Sequence, residues 1–183
     1  MTILYIIVGI ILLAIIAVKL FLAHKGKEDV RLDTDAAVEL VSIDENSMVI
    51  QKPLRYHNEG KQCATIMDAI CRSQLPYEQY DGIEVRGKME RVGEEREDDY
   101  FEAVIAQAKG YVRHEDVVDT VAKVKLTARK GMTLKAALAH MVDLPLDIIW
   151  LETGRTPCHY RKVRIEIPAE TLAKMAGVEL VKD

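Results

Sequence analysis

Cysteines and histidines are the side chains of this 183-residue chain best suited to metal binding or nucleophilic catalysis. A metal site needs several of them at short, converging spacings, and a catalytic cysteine needs a positioned base. Cys63 and Cys71 lie eight positions apart, and Cys158 is next to His159, which would face the opposite side of an extended strand. His57, His114 and His140 are scattered along the sequence. The pattern predicts separate thiols and imidazoles, with no metal, no cofactor and no catalytic site.

Motifs for phosphate binding and serine catalysis are missing from the sequence. Gly60-Lys61 lacks the upstream glycine of a P-loop, and no GxGxxG run follows a predicted strand. None of the serines stands in a GxSxG setting. We therefore expect that the protein is not an enzyme.

An acidic segment, residues 93–99, separates two predicted strands. Its carboxylates are Glu94, Glu95, Glu97, Asp98 and Asp99. Calcium prefers oxygen ligands of this kind, but the segment lacks the alternation and the glycine of an EF-hand loop. We expect a solvated hairpin tip, to which a basic partner surface could dock.

Positive charge recurs on the solvent-facing side of three predicted strands. The residues concerned are Arg86 and Lys88, Lys123 and Lys125, and Lys162 and Arg164. If these strands belong to one sheet, they form a basic patch for an anionic small molecule, such as a nucleotide or lipid headgroup, or for an acidic protein. The alternative is that these cations only keep the outer face of a sheet soluble. Nucleic acid is not expected, because the net charge is −4 and no aromatic side chains accompany the basic positions.

Trp150, the only tryptophan, is a further candidate contact residue. Tryptophan is enriched at the energetic centres of protein interfaces. Its apolar neighbours Ile148, Ile149 and Leu151 instead favour a place in a buried strand.

An apolar run from Ile3 to Ala23 precedes all of these residues and is interrupted only by Lys19. At about 1.5 Å per residue, a helix of this length spans roughly 30 Å, the thickness of the hydrocarbon core of a bilayer. A cleavable signal peptide is the alternative, but the run lacks a basic start and a small-x-small cleavage site. Residues 1–23 are therefore predicted to be a retained transmembrane anchor.

The charges around this run predict its orientation. Lys19, His24, Lys25, Lys27 and Arg31 lie at or beyond its C-terminal end. The positive-inside rule places that end and the chain after it in the cytoplasm, with the N-terminus outside. Three cysteines without a CxxC pair agree with a reducing compartment.

The rest of the chain has the composition of one globular domain. Residues 24–35 are polar and are predicted to be a juxtamembrane linker, and residues 36–183 form the predicted cytoplasmic domain. Alternation of apolar and polar residues is the main signal in this domain and predicts strands with one solvated face. We expect three antiparallel hairpins, pairing 82–92 with 100–107, 146–151 with 162–167, and 37–43 with 48–51.

Two short helices accompany the strands. Thr133 is a predicted N-cap, and Pro168 and Gly177 bound the second helix. Residues 118–128 favour a strand, whereas 64–71 fit a strand or a helix. The sequence thus predicts an α+β fold: one transmembrane helix, then a mostly antiparallel, β-rich domain, a sandwich or a partly open barrel.

Two functions agree with these features. The first is a single-pass membrane protein whose β-rich cytoplasmic domain is a non-enzymatic interaction module, an accessory subunit that docks on a larger membrane-associated assembly. Its expected partners are the lipid bilayer and a protein of a membrane complex, because anchoring raises the effective concentration of a weakly binding domain. The second is a membrane-tethered sensor that binds an anionic small molecule on the basic strand face.

Overall fold

The computed structural model describes residues 2–76, 80–95, 97–109 and 117–181, in which a long helix precedes two β-sheets. The helix, α1, covers Thr2–Lys25 and buries none of its residues. It is long and apolar enough to cross a membrane, a property that signal sequences share. The chain leaves α1 at Gly26, whose φ of +72° lies in the left-handed region that glycine adopts without strain.

The strands after α1 are all antiparallel. They are β1 (Val30–Asp33), β2 (Glu39–Ile43), β3 (Ser47–Asn58), β4 (Ala64–Ser73), β5 (Ile83–Arg91), β6 (Tyr100–Ala106), β7 (Val117–Ala128), β8 (Leu144–Thr153) and β9 (His159–Ile167). The first sheet has the order β1-β3-β7-β5, with β2 also paired to β3. The second sheet has the order β6-β4-β8-β9. The predicted β-rich α+β fold is confirmed, in the form of a sandwich.

The core lies between the two sheets and is built by alternating residues of each strand. Met48, Ile50, Leu54 and Tyr56 of β3 are almost fully buried and face the inner residues of the second sheet. The Tyr56 ring meets the Trp150 ring edge-on, with the ring centres 5.2 Å apart. Apolar burial of this kind is the main favourable contribution to folding.

Both predicted short helices are present at one end of the sandwich. The first, α2, covers Leu134–Leu138, and the Thr133 hydroxyl accepts a hydrogen bond from the backbone N–H of Ala136. The second, α3, covers Ala169–Ala176 and ends at Gly177, which has a φ of +65°. The two helices contact each other.

Two of the three expected hairpins are confirmed. Strand β2 pairs with β3, and β8 pairs with β9. The expected pairing of 82–92 with 100–107 is wrong: β5 pairs with β7, and β6 pairs with β4 in the other sheet. Segment 93–99 therefore connects the two sheets instead of closing a hairpin. The alternation within a strand indicates which side is buried, but it does not indicate which other strand it pairs with. The ambiguous segment 64–71 belongs to a strand, β4.

Strand β1 lies inside the segment 24–35 that was predicted to be a linker. Its four residues pair with β3, from Val30 opposite Asn58 to Asp33 opposite Arg55. A strand this short has too few alternating positions to stand out in a polar sequence. The sandwich therefore begins only a few residues after α1.

Candidate interaction surfaces

Four of the predicted basic residues share the outer face of the first sheet. Strands β5 and β7 are neighbours, with Arg86 opposite Lys125 and Lys88 opposite Lys123. Their side chains line an open depression of about 440 Å³ together with four carboxylates. We call this depression the charged face.

Carboxylates of the same chain already bind three of the four cations of the charged face. Glu90 is 3 % exposed, and its two oxygens lie 2.7 Å from Lys88 Nζ and 2.6 Å from Lys123 Nζ. Burial raises the pKa of Glu90, but the hydrogen bonds from Lys123 and Lys88 outweigh burial and keep the pKa below its usual value. Arg86 pairs with Asp99 at 2.8 Å, so the last residue of the acidic segment lies against this face. The mixture of charges offers no concentrated positive potential for a small anion.

The third predicted basic pair lies in the other sheet. Lys162 and Arg164 belong to β9, and both contact Asp147 of β8. Asp147 is 4 % exposed, and the hydrogen bond from Arg164 lowers its pKa. The three basic pairs therefore do not form one patch, because β9 is not in the sheet that contains β5 and β7.

Trp150 is not available to a partner. Its exposed fraction is 1 %, and its indole N–H donates to Glu152 at 3.3 Å inside the sandwich. The hypothesis that Trp150 anchors an interface is wrong, and the apolar residues beside it correctly indicated a core strand.

No disulfide joins the three thiols. Cys63 and Cys158 are exposed and Cys71 is buried, all three as free cysteines. Within the ranges that the structure describes, no group of three or more His, Cys, Asp or Glu side chains could hold a metal ion. His114 lies outside the described residues.

A groove that sequence reasoning missed lies beside the two short helices. Residues 43–45, 133–135 and 174–177 line it, and its volume is about 660 Å³. The backbone N–H of Leu134 donates to the carbonyl of Glu45 at 3.0 Å, which fixes α2 against the turn between β2 and β3. The Asp44 carboxylate accepts hydrogen bonds from the N–H groups of Asn46 and Ser47, which lower its pKa and hold that turn.

Exposed apolar side chains continue from this groove along β2. Leu40, Val41 and Ile43 are 40 %, 50 % and 42 % exposed, and all five β2 residues are solvent-accessible. Pairing with β3 is irregular between Leu40 and Ser42, so consecutive apolar residues emerge beside this bulge. We call the groove together with these three residues the distal surface.

The distal surface lies far from the end of α1. Strand β3 begins at Ser47 near the groove and ends at Asn58, which accepts a hydrogen bond from the N–H of Asp29 just after α1. The eleven steps from Ser47 to Asn58, at about 3.3 Å each, span roughly 36 Å. The sequence gives one hint of the distal surface, the run Leu40-Val41, which breaks the alternation of β2.

Comparison with known proteins does not assign this chain to a family. No protein-family model matches it, and no curated protein matches it. The GAE domain of yeast GGA1 is similar in structure, with 10 % identity, a TM-score of 0.39, and coverage of 76 % of this chain and 91 % of that domain. For the GAE domain of GGA2p from Saccharomyces cerevisiae, the identity is 7 %, the TM-score 0.31, and the coverage 72 % and 97 %. Identities and TM-scores this low support no inference about function.

Proposed function

We propose that the protein is a membrane-anchored, non-enzymatic interaction module that holds a β-sandwich at the cytoplasmic side of a bilayer. The observation that carries this proposal is α1, whose 24 residues include no buried side chain. Exposing so much apolar surface to water is unfavourable, and a helix satisfies its own backbone hydrogen bonds in lipid. The cations after the helix orient it with its C-terminal end inside.

The distal surface is the proposed docking site for a protein partner. It combines a groove with exposed apolar side chains, and its position far from α1 keeps it clear of the bilayer. Exposed apolar patches rimmed by polar residues are typical of protein-protein contacts.

The rim of the groove specifies the chemistry of the partner. Glu45 lies on the side of the β2–β3 turn, and Lys135 and Lys174 lie on the side of the helices. The complementary occupant is an apolar segment of a protein that carries a basic residue at one end and an acidic residue at the other. A segment of this kind fills the groove and extends along Leu40 and Val41.

Site-specific photo-cross-linking in intact cells tests this assignment. A photoreactive residue at Ile43 or Met175 should form adducts with one defined apolar segment of one protein, identified by peptide mapping. The same residue placed at Val92, which is 62 % exposed but far along the sheet from the groove, serves as the matched control. If a photoreactive residue in place of Lys125 formed adducts and those at Ile43 and Met175 did not, the docking site would be the charged face, and the assignment to the distal surface would be refuted.

Purified components give the energetic test. Full burial of an isoleucine side chain contributes about 1.5 to 3 kcal/mol, of which binding can supply less than half because Ile43 is 42 % exposed. The unpaired charge that Ile43→Asp places in the interface adds a desolvation cost, so this variant should weaken binding of the mapped segment by about tenfold or more. Val92→Asp introduces the same charge at an exposed apolar position and should leave the affinity unchanged. Arg86→Glu tests the charged face in the same assay. Equal affinities for Ile43→Asp and the wild-type protein would contradict the proposal.

The native thiols test the topology. Cys63 and Cys158 are exposed on the sandwich, so a membrane-impermeant maleimide should label them only after the cells are opened. Labelling in intact cells would place the sandwich outside. A mature chain that begins after Ala23 would show that the helix is a cleaved signal.

A further inference from the structure

The end of α1 is fastened to the sandwich by several hydrogen bonds. Arg155, in the loop between β8 and β9, donates through Nη1 to the carbonyl oxygens of Gly26 and Leu22, at 3.1 and 3.4 Å. Gln62, in the loop between β3 and β4, donates through Nε2 to the carbonyl of Lys25 at 2.9 Å. These are carbonyls at the helix end, where helical partners are lacking. The two loops therefore cap α1 and fix its position relative to the sandwich.

Glu28 strengthens this junction from the sandwich side. Its carboxylate accepts the backbone N–H of Thr156 at 2.7 Å and that of Arg155 at 3.0 Å, and it is 9 % exposed. The loop that carries Arg155 is thus held at its backbone while its guanidinium reaches the helix end. The junction is a built structure rather than a flexible tether.

A cavity of about 330 Å³ lies at this junction. Its lining combines Leu22 and Ala23, from the last turn of the apolar helix, with Gly26, Lys27 and Arg155. Apolar and cationic side chains therefore line the same cavity, at the level where α1 leaves the proposed bilayer. Lysine and arginine beside a span are the residues that attract anionic lipid headgroups.

Unlike Arg86, Lys88 and Lys123 of the first sheet, the cations here have no carboxylate partner within the described residues. Lys61 lies beside the junction, where its backbone N–H donates to the carbonyl of Lys27 at 2.9 Å. Lys25, Lys27, Lys61 and Arg155 are all exposed, and none of them forms an ion pair with another residue of the described ranges. Glu28, the carboxylate within this junction, instead accepts backbone N–H groups. Arg155 uses only Nη1 on the helix carbonyls, so Nε and Nη2 remain as donors.

We propose that this junction is a binding site for one anionic phospholipid of the cytoplasmic leaflet. The phosphate oxygens accept hydrogen bonds from Arg155 and Lys27, and the start of an acyl chain packs on Leu22 and Ala23. Arginine matches phosphate in geometry as well as in charge, and it also offsets the partial negative charge of the helix end. The inference rests on the proposed membrane anchoring but not on the distal surface.

Native mass spectrometry of the full chain in detergent tests the site with phosphatidylglycerol and phosphatidylcholine as probes. The wild-type protein should retain phosphatidylglycerol selectively. A cation beside an anionic headgroup contributes about a fivefold change in affinity, and Lys27 is the lysine that lines the cavity, so Lys27→Gln with Lys61→Gln should lower phosphatidylglycerol retention about fivefold or more. Neither lysine side chain makes a hydrogen bond that caps α1. Arg155→Lys keeps the charge and should retain more lipid than Arg155→Gln.

The matched control removes the same charge at the opposite end of the sandwich. Lys135→Gln with Lys174→Gln should leave phosphatidylglycerol retention unchanged, because roughly 36 Å separates the two ends and charges interact weakly beyond about 10 Å. The site would be overturned if the wild-type protein retained both lipids equally, or if Lys27→Gln with Lys61→Gln left retention unchanged. It would also be overturned if a photoreactive residue at position 27 formed cross-links to a protein instead of a phospholipid. Loss of the lipid site with intact cross-linking from Ile43 would leave the proposed interaction module standing.

Discussion

Replacing Glu28 tests whether the junction between α1 and the sandwich contributes to stability. Burial raises the pKa of this carboxyl, but hydrogen bonds from the Thr156 side chain and from the backbone N–H groups of Thr156 and Arg155 outweigh burial and lower the pKa to about 2. A fall from 4.5 to about 2 corresponds to at most about 3 kcal/mol, at 1.36 kcal/mol for each pKa unit. Solvent at the edge of the sandwich screens part of this interaction, so we expect Glu28→Gln to cost about 2 kcal/mol.

Thermal unfolding of the full chain in detergent provides the assay. Trp150, the only tryptophan, is buried in the core, so its fluorescence reports unfolding of the sandwich without a contribution from α1. For a domain of this size, 1 kcal/mol shifts the Tm by about 2–4 °C, so Glu28→Gln should lower the Tm by roughly 4–8 °C at pH 7. Glu179→Gln, at an exposed carboxylate, is the matched control and should leave the Tm unchanged.

The pH dependence of the Tm difference between the wild-type protein and Glu28→Gln tests whether the Glu28 carboxylate causes the stabilisation. Because folding lowers the pKa of Glu28, the folded state binds a proton less readily than the unfolded state, and the stabilisation is complete above about pH 4.5. It is lost as the pH falls through about 2. The Tm gap between the wild-type protein and Glu28→Gln should therefore narrow from pH 4.5 downwards. A gap that is absent at pH 7, or constant down to pH 2, would refute the reasoning.

Three further predictions concern the core. A Cβ at Gly87 would lie 2.5 Å from the Cys71 carbonyl oxygen. Gly87→Ala should therefore lower the free energy of unfolding, measured by urea titration, by about 1–3 kcal/mol, and Gly87→Val should lower it further. Equal stability of the wild-type protein and both variants would contradict this close contact. Within the described residues the buried Tyr56 hydroxyl has no hydrogen-bond partner, so Tyr56→Phe should leave the free energy of unfolding unchanged or raise it by about 1 kcal/mol, and a clear loss would contradict this. Burial raises the pKa of Cys71 to about 12, so a thiol reagent should modify Cys63 and Cys158 quickly and Cys71 only on unfolding; a third fast thiol would contradict its burial.

Local sequence patterns predicted most elements because each pattern records which side of an element is buried. The alternation in β5, β7 and β9 identified strands, and Thr133 and Gly177 marked helix ends. The partner of β6 was beyond this kind of reasoning, because the same alternation suits pairing with β5 or with β4.

The composition of the candidate sites depended on tertiary structure more than the helices and strands did. Alternation placed Arg86 and Lys88 on a solvated face, yet only the folded chain brings Asp99 to Arg86 and places Glu90 between two lysines. The distal surface likewise arises where the β2–β3 turn meets α2 and α3, elements that are distant in the sequence.

The sequence by itself determined the apolar helix, the charge at its end and the β-rich character of the following domain. These properties depend on composition and short periodicities, which act within one element. Tertiary structure alone decided that Arg155 caps α1 and that the lysines at this junction lack carboxylate partners within the described residues. Contacts between residues more than a hundred positions apart depend on how the sheets stack, and no local pattern encodes that arrangement.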